Sequence, residues 1–352
     1  MTASHLTQTW TDALNAWSDA LKRWSTFQEA VEPSAGRRAT WATANTVEAV
    51  HDSVVLRRFG RAAEGRVPAL IVTPQVNHSY VADFNERQSL VRTLQGAGVS
   101  EVGVTDWLPP PERAYAIADS LDDVTACIDR LGGRVHLVGL CQGGWQSAMV
   151  AALHPEKVAS LTVAAAPIDA HAGATLLHAW VFGLPMSFFE GVVALGGGVA
   201  PGKKLSEGFD LLKPFERFVF GYAALWLNAD DPAYVERFTA LRNWYRLNKD
   251  VAGDLYLEAV RHLFKDNRLA GGTFEVRGRR VDLSAIRCPL NLVAGTRDHI
   301  TPPPQVFALE KLAPGADCKS YTVDAGHIGS FMGGGALKTA WTEIGARMSA
   351  QG

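Results

Sequence analysis

The 352-residue sequence is poor in cysteine and has little net charge. Its four cysteines are widely spaced and form no CxxC pair, which argues against a zinc knot or a disulfide framework. A net charge of −2 offers no electrostatic basis for binding nucleic acid. The sequence has no uninterrupted apolar run of about 18 residues, so we expect no transmembrane segment. It also shows no secretory signal pattern, so we expect a cytoplasmic protein.

Strand-like apolar runs alternate with helix-like runs along most of the chain. This alternation predicts an α/β fold with a mostly parallel central sheet. It stops between residues 170 and 270, where the pattern is helical and rich in aromatic residues. We therefore predict an N-terminal helical arm (1–35), a first part of the α/β core (36–169), an inserted helical cap (170–270) and a second part of the core (271–352).

The N-terminal arm carries apolar residues at alternating spacings of four and three. This pattern predicts an amphipathic helix over residues 5–31, followed by a linker at residues 33–38. Two interpretations stay open: the helix packs on the protein's own core, or it docks on a partner or a lipid-like surface, where tryptophan is well suited. The apolar positions are Leu6, Trp10, Leu14, Trp17, Leu21, Trp24 and Phe27.

An apolar strand pattern over residues 135–140 leads directly into an alanine-rich helix pattern, with Cys141 at the junction. The sequence Gly-x-Cys-x-Gly at this point is typical of a nucleophile elbow, in which Gly139 and Gly143 allow backbone segments to approach closely. We predict that Cys141 is a nucleophile whose thiolate is stabilised by the start of the following helix. The alternative is a buried structural cysteine.

Cys141, Asp298 and His327 occur in the chain order of an α/β-hydrolase triad, and each follows a predicted strand. His327 would act as the base toward Cys141, and Asp298 would orient the imidazole. The alternatives are His299 for the base and, for the acid, Asp106, Asp169 and Asp324.

In this architecture, one oxyanion-hole N–H comes from the residue after the nucleophile and another from the loop after an earlier strand. We therefore nominate the backbone of Gln142 and that of Val76 and Asn77. We also expect His78 and Trp145 to line the substrate channel. The glycine-rich segments lack the setting of a phosphate loop, and we expect neither a metal nor a cofactor.

The motifs around these residues resemble the polyhydroxyalkanoate synthases, above all the class III catalytic subunit, from about Ala69 to the C-terminus. The most specific segments are GLCQGG (139–144), ALHPEKV (152–158), AGTRDHITPP (294–303) and AGHIG (325–329). The resemblance implies an acyltransferase that polymerises 3-hydroxyacyl-CoA through an acyl group carried on Cys141. It assigns His327 as the base and Asp298 as the acid that helps to activate the incoming hydroxyl.

The resemblance also bears on partners and on alternative activities. If it extends to assembly, it implies a homodimer, a non-catalytic partner subunit and contact with a polyester granule surface, for which residues 5–31 are the candidate. An intracellular polyhydroxyalkanoate depolymerase or esterase would use the same three residues, with water or a thiol as acceptor. A non-catalytic granule-binding protein is the third interpretation.

Overall fold

The computed structural model describes residues 3–31, 41–212 and 220–351. The chain divides into two compact units, one of residues 1–39 and 206–248 and the other of residues 40–205 and 249–352. The predicted cap is therefore divided between the units. The predicted linker at residues 33–38 and the side chains of Leu6 and Trp10 lie outside the described residues.

Eight of the described strands form one sheet in the larger unit, in the order β1-β2-β6-β3-β7-β8-β13-β14. These strands are β1 (Thr46–Ala49), β2 (Val54–Gly60), β3 (Ala69–Val72), β6 (Glu101–Trp107), β7 (Val135–Leu140), β8 (Val158–Ala164), β13 (Leu290–Gly295) and β14 (Cys318–Val323). Strand β2 pairs antiparallel with β1 and β6, and the other pairs are parallel. The parallel strands therefore end at one edge, which confirms the predicted α/β fold.

The other described elements of the two units are short strand pairs and helices. The short strands are β4 (Asp83–Asn85), β5 (Gln88–Ser89), β9 (Val199–Ala200), β10 (Val251–Ala252), β11 (Glu275–Val276) and β12 (Arg279–Arg280). The helices are α1 (Ala3–Val31), α2 (Leu90–Gly96), α3 (Ile117–Arg130), α4 (Gln142–Leu153), α5 (Leu176–Gly183), α6 (Met186–Leu195), α7 (Gly202–Leu211), α8 (Gly221–Leu227), α9 (Pro232–Arg246), α10 (Gly253–Glu258), α11 (Pro303–Leu312), α12 (Gly329–Met332), α13 (Gly334–Ala336) and α14 (Thr342–Ser349).

The central strands are buried along their whole length, which explains their apolar sequences. Every residue of β7, β8 and β13 is buried, as expected for parallel strands covered on both faces. The buried polar exceptions bond each other: His136 Nδ1 lies 2.8 Å from Ser160 Oγ, and Asn291 donates to Thr162. Burial lowers the pKa of His136 to about 4, so its imidazole is neutral at pH 7.

The sequence pattern over residues 84–96 suggests one helix, but the structure shows a small hairpin first. Strands β4 and β5 pair antiparallel, and the Asn85 side chain accepts hydrogen bonds from the backbone N–H groups of Arg87 and Gln88. This local turn competes with the helix. The helix begins at Leu90, where Ser89 accepts a hydrogen bond from the N–H of Arg92 as an N-cap.

The sequence pattern over residues 274–283 predicts a hairpin that turns near Arg277 and Gly278, and the structure confirms it. Strands β11 and β12 pair across Arg277 and Gly278, whose φ angles are 48° and 76°. Two consecutive positive φ angles are the mark of the tight hairpin turn that matches strand twist.

The smaller unit confirms the predicted N-terminal helix. Helix α1 contacts α8 and α9, and Phe27 packs edge-on against Trp226 with ring centroids 5.8 Å apart. The Arg242 guanidinium donates hydrogen bonds to the carbonyl oxygens of Ala30 and Val31, at the C-terminal end of α1. Leu14 and Trp17 remain 66% and 68% exposed, so part of the apolar face of α1 is open to solvent.

No single helix among the described residues is long and apolar enough to cross a membrane. Helices α5 and α6 together are long and apolar enough, but they are bent by 92° at the break between them.

Candidate active site

Cys141 occupies the sharp turn between β7 and α4. Its backbone has φ 53° and ψ −118°, a conformation that non-glycine residues rarely adopt. A Cβ added at Gly143 would lie 2.0 Å from the carbonyl oxygen of Val72, and one at Gly139 would lie 2.4 Å from the carbonyl oxygen of Gly143. Both glycines are therefore needed for the close packing that holds the strained turn in place, and the half-buried Cys141 stands at the N-terminus of α4.

Asp298 and His327 lie on the loops that follow β13 and β14, and they contact each other directly. His327 Nδ1 is 2.8 Å from Asp298 Oδ2. The other carboxylate oxygen accepts hydrogen bonds of 2.9 Å from the backbone N–H groups of Ile300 and Thr301. Asp298 is thus fixed on both oxygens, and it holds the imidazole with its second nitrogen available to Cys141.

The two loops are held together by backbone hydrogen bonds. The N–H of Thr296 donates to Val323, and that of Arg297 donates to Ala325. A Cβ at Gly295 would lie 2.4 Å from the carbonyl oxygen of Ala325. The ends of β13 and β14 therefore approach too closely for a side chain at this position, so Asp298 and His327 lie on loops that are fixed relative to each other.

The charges of this cluster support each other. Burial disfavours the imidazolium of His327, but the charges of Asp298 and Cys141, with their hydrogen bonds, outweigh burial and hold the pKa of His327 well above its usual value. Burial also opposes ionisation of Asp298, yet the positive charge of His327 and the hydrogen bonds to the carboxylate keep its pKa below the usual range. The site therefore favours a protonated imidazole beside an ionised carboxylate.

The other three cysteines lie in less reactive settings. Burial raises the pKa of the fully buried Cys127 thiol and raises that of Cys288 to about 11. Burial and nearby carboxylates also raise the pKa of Cys318. These thiols stay protonated at pH 7.

The predicted oxyanion donors lie on elements that the structure ties together. The backbone N–H of Gln142 belongs to the first turn of α4, where N–H groups have no acceptor within the helix. The Gln142 side chain accepts a 2.9 Å hydrogen bond from the N–H of Gln75 and donates a 3.1 Å bond to the Gln75 side chain. The next peptide is anchored by the N–H of Lys249, which donates to the carbonyl oxygen of Val76. The segment with Val76 and Asn77 is thus fixed relative to the elbow.

The two predicted channel residues have different surroundings. The Trp145 indole is 2% exposed and belongs to the hydrophobic core beneath the elbow, so the structure places it in the core and not along an open channel. His78 is half-buried and stacks on Tyr80, with ring centroids 5.3 Å apart. A channel role for His78 stays a prediction.

The alternative acids have other partners. Asp106 bonds Arg57, Asp169 accepts from the Asn267 side chain, and Asp324 pairs with Arg297 at the surface. Asp298, by contrast, contacts His327, which carries the base role in the predicted triad.

Sequence patterns do not nominate Gln75, although it binds Gln142, the residue that follows Cys141. The one feature of the sequence that points to Gln75 is its position in the loop from which an oxyanion-hole donor is expected. Among the described residues, no cluster of three or more histidine, cysteine or carboxylate side chains has the arrangement to hold a metal ion.

Comparison of the structure with solved structures shows the fold. The chain resembles a hydrolase from Pseudomonas aeruginosa with a TM-score of 0.54 and 18% identity, over 91% of this chain and all of that one. It resembles an enol-lactonase from Burkholderia xenovorans with a TM-score of 0.53 and 15% identity, over 87% of this chain and all of that one. The architecture is that of the α/β-hydrolases.

Comparison of the sequence shows the family. Residues 114–314 match a family described as a protein of unknown function, DUF3141. The chain is 32% identical to the poly(3-hydroxyalkanoate) polymerase subunit PhaC of Allochromatium vinosum over 84% of this chain and 85% of that protein. It is 32% identical to the PhaC subunit of a Synechocystis species over 82% of this chain and 80% of that protein. The chain therefore belongs to the poly(3-hydroxyalkanoate) polymerase PhaC family.

Proposed function

We propose that this enzyme polymerises 3-hydroxyacyl-CoA and releases CoA, with Cys141 carrying the growing acyl group. The observation that carries the proposal is the hydrogen-bonded pair of His327 and Asp298, together with Cys141 at a strained elbow, whose charge helps to raise the pKa of His327. The relatives' names supply the substrate class.

In the first half of the reaction, the Cys141 sulfur attacks the thioester carbon of the acyl-CoA. The carbonyl oxygen becomes an oxyanion that the N–H groups of Gln142 and the Val76–Asn77 segment receive. The bond from carbon to the CoA sulfur then breaks, and the imidazolium of His327 supplies the proton for the leaving thiolate. One thioester replaces another, so the acyl group stays activated.

In the second half, the neutral His327 takes the proton from the 3-hydroxyl group of a second acyl unit. The hydroxyl oxygen attacks the acyl carbon on Cys141, an ester bond forms, and the bond between carbon and the Cys141 sulfur breaks. Asp298 stabilises the imidazolium that results and holds its orientation. Water competes with the hydroxyl as acceptor, so the direction of the chemistry depends on its exclusion.

The test is CoA release from 3-hydroxybutyryl-CoA by the full chain, run beside hydrolysis of amorphous polyhydroxybutyrate. We expect CoA release with growing polymer, and loss of both in Cys141→Ala. Cys127→Ala, which alters a thiol outside the site, is the matched control and keeps the activity. Soluble hydroxybutyrate released from the polymer, with no polymer made from the thioester, would instead identify a depolymerase.

We further propose that α1 contacts the surface of a polyester granule. Leu14, Trp17, Leu21 and Trp24 are each at least half exposed, and apolar aromatic side chains suit the boundary between water and an apolar body. Sedimentation of the protein with polyhydroxybutyrate particles tests this: Trp17→Ser with Leu21→Ser should leave the protein in the supernatant. Unchanged sedimentation would contradict the contact.

The class III resemblance adds a homodimer and a non-catalytic partner subunit to the proposal. Light scattering of the purified chain, alone and with acyl-CoA, measures the first. CoA release that rises when a partner subunit is added would support the second, and an activity that the chain reaches in full alone would contradict it.

A further inference from the structure

A network of hydrogen bonds runs from the half-buried Gln142 at the elbow into the core of the larger unit. Gln142 Nε2 donates to Gln75 Oε1 over 3.1 Å, and Gln75 Nε2 donates to the Tyr115 hydroxyl over 3.1 Å. The Tyr115 hydroxyl donates to Asp123 Oδ2 over 2.6 Å. Ser53 and His51 also contact the Asp123 carboxylate. The predicted triad includes none of the residues Gln75, Tyr115 and Asp123 of this network.

The Asp123 carboxylate, at the inner end of the network, sets the direction of every hydrogen bond in it. Asp123 is 1% exposed and, when ionised, can only accept hydrogen bonds. Tyr115 must therefore donate to it, and the Tyr115 oxygen is left to accept from the amide NH2 of Gln75. Burial and the charge of Asp123 raise the pKa of Tyr115, so the phenol keeps the proton it donates.

The same logic fixes the side chain at the elbow. Because the NH2 of Gln75 faces Tyr115, its amide oxygen faces Gln142 and accepts from that NH2 group. The amide oxygen of Gln142 then faces the backbone N–H of Gln75 and accepts from it over 2.9 Å. Turning over the side-chain amide of either Gln75 or Gln142 would break two hydrogen bonds and place donor against donor or acceptor against acceptor. One arrangement therefore satisfies the whole hydrogen-bond network.

We propose that Gln75, Tyr115 and Asp123 are positioning residues for acyl transfer at the elbow. They hold the loop after β3 to the side chain of Gln142, and so keep the N–H of Gln142 and that of Val76 or Asn77 aimed at one point. The inference rests on acyl transfer through the elbow cysteine. It goes further by assigning the geometry of the oxyanion hole to a buried carboxylate outside the triad.

Tyr115→Phe removes one link and keeps the ring that fills the core. The Gln75 amide then loses its acceptor, and Asp123 loses a donor. A displacement of about 1 Å at a catalytic group costs about a hundredfold in rate, so we expect acylation by p-nitrophenyl acetate to slow about ten- to a hundredfold in kcat, with little change in KM. Asp123→Asn, which can donate as well as accept, should act in the same way.

A second reaction of the same sulfur separates positioning from misfolding. Alkylation of Cys141 by iodoacetamide proceeds without an oxyanion, so it should stay within about twofold of wild type in Tyr115→Phe. Because the links act as one unit, Tyr115→Phe should add little in the Asp123→Asn background. Ser120→Ala is the matched control. Ser120 is buried on α3 and forms hydrogen bonds with Gln146 and Ile117, which are not part of this hydrogen-bond network. We therefore expect wild-type acylation in this variant.

Four outcomes would overturn the inference. These are wild-type acylation in Tyr115→Phe, an equal loss of acylation and alkylation, multiplicative losses in the double variant, and an equal loss in Ser120→Ala. Wild-type protein that is acylated by the ester but releases no CoA from 3-hydroxybutyryl-CoA would refute the proposed polymerase and leave the positioning role standing. Wild-type protein that is alkylated but never acylated would overturn both.

Discussion

Gly143→Ala tests the physical basis of the elbow. An added Cβ would lie 2.0 Å from the carbonyl oxygen of Val72, and such contacts are not tolerated under 3.0 Å, so α4 and β3 must separate by about 1 Å. A displacement of about 1 Å at reacting groups costs about a hundredfold in rate, and overpacking a tight site costs about 1–3 kcal/mol of the free energy of unfolding. We expect losses of this size in kcat for CoA release and in stability.

The assay compares three proteins by CoA release and by urea unfolding. Gly191→Ala is the control, because Gly191 lies in α6 and, apart from the backbone of its own helix and its two neighbours, no atom lies within 4 Å of an added Cβ. The same chemical change should there leave kcat unaltered and stabilise the helix by up to about 1 kcal/mol. Wild-type kcat and stability in Gly143→Ala would refute the argument that close packing against Val72 places the nucleophile.

Three further predictions follow from charge and packing. The pKa of His327 is raised and that of Asp298 is lowered in the folded protein. Their pairing therefore stabilises the fold fully between about pH 4 and 6.5. This stabilisation is lost as pH rises through the folded pKa of His327 or falls through that of Asp298. Asp298→Asn should therefore lower the free energy of unfolding more at about pH 5.5 than at about pH 9, and an equal loss at both would contradict the pairing. Iodoacetamide at neutral pH should modify Cys141 first and Cys127 last, as peptide mass spectrometry would show, because burial raises the pKa of the Cys127 thiol; early modification of Cys127 would count against its burial. Arg242→Ala should speed hydrogen exchange at the C-terminal end of α1, whose carbonyl groups Arg242 binds, whereas Arg237→Ala on the same helix α9 should not; equal exchange in both variants would remove the capping role.

The elbow and the main strands are predictable from the sequence because their signals are local. Glycines two residues either side of Cys141, a preceding apolar run and a following helix pattern together specify the turn. The chain order of acid and base then brings Asp298 and His327 to the same edge of a parallel sheet, where the structure shows them in contact.

Other features depend on packing that local patterns do not encode. The sequence suggests a channel position for Trp145 because it lies near the elbow, but the helix turns its indole into the core. Asp123 does carry a signal: it lies three residues after the buried Ser120 and four before the buried Cys127, and so on the inner face of α3. Its link to Gln75 through Tyr115, however, joins segments that are distant in sequence and meet only in the folded chain.

The most direct test of the account is mass spectrometry of the full chain quenched soon after mixing with 3-hydroxybutyryl-CoA. We expect one or more 3-hydroxybutyryl units on the peptide that contains Cys141, formed as CoA is released and absent in Cys141→Ala. CoA release with no acyl group on that peptide, or an adduct on another residue, would contradict the assignment of Cys141 as the acyl carrier.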